Sequence, residues 1–138
     1  MGGSQQKHDW LQQKLFNHPE FIDIPKFDIH SKAMEYELYL NNTIYVVPDL
    51  YFQREYYTHF VEIKSGSNHT AYSRGMNQLE KIIKWAETEN LSNIDAKLVM
   101  PKYNDDFKWN HTLMNLEIYK LGDSYKKKGY YSINPNLR

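Results

Sequence analysis

Apolar and polar positions alternate most clearly between residues 34 and 40, where Met34, Tyr36, Leu38 and Leu40 share one side and Glu35, Glu37 and Tyr39 the other. A period of two is the signature of a strand. Asn41-Asn42 follows as a two-residue turn able to take positive φ, and Thr43 to Val47 resumes with β-branched and aromatic residues, so the spacing predicts a hairpin. Pro48 has no N–H to give a ladder, which predicts an end or bulge of the pairing just before Asp49. The run from Thr58 to Lys64 reads as a third strand closed by Ser65-Gly66-Ser67-Asn68. Val61 and Ile63 fall on one face of it, Phe60, Glu62 and Lys64 on the other.

Two stretches change period. Trp10, Leu11, Lys14, Leu15 and Phe16 recur at helical intervals, predicting a short first helix over His8 to Asn17 that stops before Pro19. Tyr72, Met76, Leu79, Ile82, Ile83 and Ala86 follow a 3.6-residue period, predicting a helix over Tyr72 to Thr88. Glu20 to Lys32, interrupted by Pro25, reads as an irregular connection with one short extended piece around Phe27 to Ile29. Ala96 to Met100, closed by Pro101, predicts a fourth strand. Asp105 or Asp106 is a candidate cap for a brief helix through Leu113, and Leu116 to Leu121 a candidate final strand. The pattern predicts an α/β domain with a central mixed sheet and helices packed on it. A chain of 138 residues suits one hydrophobic core. Residues 1–7 read as a leader, 8–121 as the domain and 122–138 as a polar, basic C-terminal extension.

Composition narrows the setting. No apolar run approaches the roughly 20 residues of a membrane span. Cysteine is absent, excluding disulfides and thiolate ligands, and no apolar signal-peptide core follows Met1-Gly2-Gly3-Ser4. A cytoplasmic, intracellular protein is expected, encoded by a bacterium, a phage or a mobile element. Seventeen basic and seventeen acidic side chains give zero formal net charge, so a nucleic-acid partner needs local patches. Arg74 and Lys81 on the second helix and Lys126, Lys127 and Lys128 in the tail are the candidates for such contacts. Twelve tyrosines suit strands and, where exposed, offer faces on which unpaired bases stack. The six histidines show no His-x-x-x-His spacing, which argues against a histidine metal site.

Charged residues inside an apolar strand point to chemistry, because a buried unpaired charge is costly and tends to be matched or functional. Asp49 and Glu62 are carboxylates of the kind that hold magnesium, which takes one or two of them and keeps several waters. Lys64 shares the face of Glu62 and places an ammonium where an attacking water or developing negative charge would lie. Arg74, Gln78 and Lys81 fall on one stripe of the second helix, a stripe suited to backbone phosphate.

Val47-Pro48-Asp49, then Val61-Glu62-Ile63-Lys64, then a helix bearing Gln78, resemble the PD-(D/E)XK nuclease superfamily over roughly residues 8 to 100. The resemblance implies a restriction-endonuclease-like core in αβββαβ order and hydrolysis of DNA by a metal-activated water with Mg2+ or Mn2+. It implies Asp49 and Glu62 as metal ligands, the backbone carbonyl of Ile63 as a further one, Lys64 as the catalytic lysine and Gln78 as a polar helix residue that supports the site. Gln78 to Ile82 is similar to the corresponding helix of archaeal Holliday-junction resolvases, whereas the long hairpin before Pro48 departs from them and leaves room for relatives in transposition, replication and restriction. Family members commonly add a glutamate from the first helix, and His8 to Asn17 contains none. Glu20, Glu35 and Glu37 are the substitutes, with Glu35 a candidate ligand. A homodimer is the assembly that the family implies for cutting two strands. The alternative is a domain of nuclease fold that binds nucleic acid or a protein without cutting, taken from a larger replication or mobile-element protein.

Overall fold

The computed structural model describes residues 2–66, 68–101, 114–121 and 126–133. The side chains of 2–4, 114, 115, 117, 121 and 126–133 lie outside that description. The chain is an α/β protein with a mixed six-stranded sheet, a separate two-stranded sheet and two α-helices. Helix α1 spans Gly2–Asn17 and buries Leu11 and Leu15, one turn apart, against the sheet. It begins well before His8, so residues 2–7, read from the sequence as a leader, are helical. His18 leaves the helical region because Pro19 crowds the residue before it, and a short 3-10 turn runs over Pro19–Ile22.

The main sheet is built from β1 (Ser31–Met34), β4 (Leu50–Gln53), β5 (Thr58–Ile63), β6 (Ile94–Pro101), β7 (Met114–Leu121) and β8 (Lys126–Ile133), side by side in that order. Strands β2 (Leu38–Leu40) and β3 (Thr43–Val46) form the separate hairpin. Asn41 and Asn42 have φ of 52° and 65°, the paired left-handed conformations expected of that turn. The alternating stretch from Met34 is not one strand, however. Glu35 itself has φ 52°, which turns the chain out of the main sheet after Met34 and into the hairpin. β1 instead pairs with β4, a strand that falls in the short stretch between Asp49 and the polar residues from Gln53 onwards. Up to β6 the main sheet follows the order α, β, β, β, α, β, with the hairpin inserted after its first strand. Ile29 donates to the Lys26 carbonyl in a turn, so the extended segment begins at Ser31 rather than at Phe27.

β5 and β6 run parallel, and the crossover between them is helix α2 (His69–Thr88). Asn68 caps α2 by accepting from the Ala71 N–H at 2.8 Å, which starts the helix three residues before Tyr72. α2 lays Met76, Leu79 and Ile82 on Phe60, Ala96 and Leu98, while α1 covers Leu50, Phe52, Val61 and Ile63 on the opposite face. Gly75 packs its bare Cα against the sheet at Leu98. A Cβ there would stand 2.4 Å from Leu98 Cδ1 and 2.7 Å from Cδ2, and Leu98 is itself fully buried. Gly75→Ala is therefore expected to cost about 1–3 kcal/mol through overpacking, a loss that urea unfolding measures directly. β8 pairs along the length of β7, so part of the predicted tail extends the sheet. The helix predicted through Leu113 lies outside the described residues. Among the described residues, no helix is long and apolar enough to cross a membrane.

Candidate active site

Asp49 occupies the last position before β4, and Glu62 lies near the end of β5. The register pairs Leu50 with Val61, which sets Asp49 opposite Glu62 at the end of the two strands. The hairpin strand β3, from which the sequence pattern suspended Asp49, does not touch β5 in the sheet; β4 does this work. Both carboxylates are only 7 % exposed. Asp49 Oδ2 accepts from the Ile63 N–H at 2.7 Å. An extended residue directs its N–H and C=O to the same side, so the Ile63 carbonyl is aimed to the edge where Asp49 lies. Lys64 Nζ stands 3.4 Å from Glu62 Oε2, while Glu62 Oε1 is buried without a hydrogen-bond partner. Burial, then the neighbouring Asp49 carboxylate, pushes the Glu62 carboxyl up to about 8, with Lys64 opposing them. Two acids crowded into one dry corner resist double ionisation unless a cation joins them.

Helix α1 closes the site with residues absent from the sequence-based set. His8 Nε2 lies 3.2 Å from Asp49 Oδ1, and its hydrogen bond to Asp49 raises the imidazole to about 9. Gln12, buried at the next turn of the same helix, donates through Nε2 to the Asp49 carbonyl at 2.9 Å and to Glu35 Oε1 at 3.1 Å. His8 and Gln12 share the stripe of Leu11 and Leu15. Polar residues interrupting a core-facing stripe were the signal that would have found them. Glu35 thus reaches the rim of the site through Gln12, and its N–H is held by the Asp49 carbonyl at 3.1 Å. Glu37 turns away to accept from Tyr39, and Glu20 stands beside His18 and Lys26.

The α2 residues are less closely tied to the carboxylates. Gln78 is half-buried, and among the described residues no hydrogen bond joins it to Asp49, Glu62 or Lys64. Arg74 is exposed, and Lys81 lies over the Tyr45 ring of the hairpin at 5.5 Å. The backbone of Lys126, Lys127 and Lys128 forms the start of β8; their side chains lie outside the described residues. Among the described residues, no group of three or more His, Asp or Glu is arranged to hold a metal ion.

A second charged cluster lies on the α1 face, toward the start of β5 and β6. Asp95 Oδ2 stands 2.6 Å from His59 Nδ1 and 3.2 Å from Lys97 Nζ, and Lys120 Nζ is 3.2 Å from Oδ1. A carboxylate only accepts, so His59 Nδ1 carries the proton in that bond. His59 does face away from Glu62, as its strand position predicts. Lys97 also donates to the Ile22 carbonyl at 2.9 Å, which ties β6 to the 3-10 turn after α1.

No family model, curated protein sequence or solved structure matches the chain.

Proposed function

We propose that this chain has a restriction-endonuclease-like core and is a magnesium- or manganese-dependent endonuclease that hydrolyses DNA phosphodiester bonds. The observation that carries the reading is the convergence of Asp49 and Glu62 at adjacent strand ends with Lys64 beside them. The residues fit a hard divalent cation: two carboxylates, a carbonyl aimed to the same edge and the partnerless Glu62 Oε1 form an oxygen donor set. Asp49, Glu62 and the Ile63 carbonyl would hold the ion, which when bound lowers the pKa of a water and offsets charge on the phosphoryl oxygens. Lys64, placed against Glu62, orients the attacking water and stabilises the negative charge that grows on the phosphorus oxygens. Gln12 fixes the backbone of Asp49 so that its carboxylate keeps its aim. His8 supplies a positive group against Asp49 from the helix where the family resemblance expects a glutamate.

Cleavage of labelled single-stranded, duplex and branched DNA with Mg2+ or Mn2+ tests this. Lys64→Ala is expected to lower the rate by at least about a hundredfold. Equal cutting by wild type and variant would refute the assignment. The second reading, a nucleic-acid-binding or interaction domain that does not cut, is favoured by the basic His8 in place of a third carboxylate. It predicts DNA retention that falls with salt, with no metal-dependent product.

A further inference from the structure

Beside the carboxylates runs a ladder of aromatic rings that cleavage chemistry does not use. Tyr36 stacks on Tyr51 with ring centroids 4.0 Å apart and planes within 8° of parallel. Tyr51 rests on Phe60 at 5.7 Å, and Phe60 meets Trp85 of α2 edge-on at 5.8 Å. The ladder begins at the surface, where Tyr36 is 37 % exposed, and ends in the buried layer under α2.

Its outer end is fastened to the proposed active site. The Tyr36 N–H donates to the Pro48 carbonyl at 3.1 Å, and the preceding N–H, of Glu35, donates to the Asp49 carbonyl at 3.1 Å. Tyr51 follows two residues after Asp49 and directs its side chain to one face of the sheet from β4. That face is shared by Phe60 and Glu62, since Tyr51 pairs with Phe60 in the register. One face of the Tyr36 ring is covered by Tyr51, the residue as a whole is 37 % exposed, and its backbone is tied to the segment that carries Asp49.

We infer that Tyr36, backed by Tyr51, is a stacking platform for an unpaired nucleobase next to the phosphate that is cut, and that the substrate is therefore single-stranded DNA or a single-stranded segment of a branched one. A base within a duplex has both faces occupied by its neighbours and has none to offer a tyrosine ring; an unpaired base has. The ring is already held in place by the ladder, so stacking on it orders little that was free. The inference rests on the nuclease reading for its position at the cut, and on the ring geometry for its ligand.

The test compares Tyr36→Ala, Tyr36→Phe, Lys64→Ala and, as a control at the β4–β5 turn, Tyr57→Ala. Each is assayed for Mn2+-dependent cleavage of a labelled single-stranded oligonucleotide, the same oligonucleotide with abasic positions, and a duplex; binding of the same probes is read by anisotropy. Tyr36→Ala is expected to lower kcat/KM on the single strand about tenfold, the scale of one lost base stack. Tyr36→Phe restores most of that loss, Tyr57→Ala has little effect, and the abasic strand is insensitive to Tyr36→Ala. Unchanged single-strand cleavage in Tyr36→Ala, with Lys64→Ala inactive, overturns the platform and leaves the nuclease reading standing. If Lys64→Ala cuts as well as wild type, or nothing cuts, the nuclease reading fails. The platform then stands on the binding arm alone and is overturned if Tyr36→Ala binds the single strand like wild type.

Discussion

Glu62→Gln is expected to raise the thermal midpoint of the metal-free protein by about 10 °C near neutral pH while abolishing the proposed cleavage. Glu62 is buried opposite Asp49, and its carboxyl is raised from 4.5 to about 8, first by burial and then by Asp49. The sign follows from linkage. Below its unfolded value the group is neutral in both states and costs nothing. As pH rises above that value, the unfolded chain releases the proton more readily than the folded one, so stability falls until the folded group also ionises near 8. At about 1.4 kcal/mol for each pH unit, the penalty reaches on the order of 3 kcal/mol near pH 7. Glutamine keeps the neutral shape and removes the penalty. Thermal scans with a chelator should therefore show a small advantage for the variant at about pH 5 and a large one at about pH 8. Identical midpoints at both would contradict the crowded-carboxylate geometry. Added Mg2+ should reverse the order, because a ligand bound only by the folded wild type stabilises it by mass action. A residue that costs stability in the metal-free protein is the trade expected of the proposed active site.

The largest destabilisation is expected from Asp95→Ala, about 3–5 kcal/mol, the range for removing one partner of a buried ion pair. The loss leaves Lys97, 4 % exposed, as a buried cation with only backbone carbonyls, and deprives the His59 Nδ1 proton of its acceptor. Burial alone would raise the Asp95 carboxyl; the His59 hydrogen bond and the charges of Lys97 and Lys120 outweigh it and hold the group well below the usual carboxylate range. Its stabilising contribution is thus complete above the unfolded value of about 3.9 and is lost as pH falls toward the depressed folded value. Urea unfolding at neutral pH measures the mutational loss, and acid titration of wild type beside Asp95→Asn measures the pH-dependent part. The cluster lies toward the other end of β5 from Glu62, so Asp95→Asn protein that remains folded should keep the proposed metal dependence. An acid limb identical in the two proteins would remove Asp95 from this role.

The sequence carried the residues of the candidate site and less of the fold that brings them together. Glu62 and Lys64 were legible because a strand of apolar residues from Phe60 to Ile63 sets any charge within it apart. Asp49 was legible from Pro48, which must end a ladder. The strand that presents Asp49 was not, since Leu50 to Gln53 is only four residues long and follows a proline. The network of His59, Asp95, Lys97, Lys120, Arg54 and Asp28 was not legible for a related reason. They come from separate segments, and each alone resembles a solvated surface residue.

Local physics determined the elements that are long or sharply punctuated. Period 3.6 determined the second helix, Asn41-Asn42 determined the hairpin turn, and the period of two determined that Val61 and Ile63 oppose Phe60 and Glu62. Tertiary structure decided which strands became neighbours, because pairing partners depend on the whole arrangement of buried faces and not on any one run of residues. It turned the chain at Glu35, sent the hairpin to α2 and brought β1 and β4 into the main sheet. It also decided what stands beside Asp49. A helix with no glutamate supplied His8 and Gln12, and a tyrosine from the connection between two strands came to stack on Tyr51 of β4.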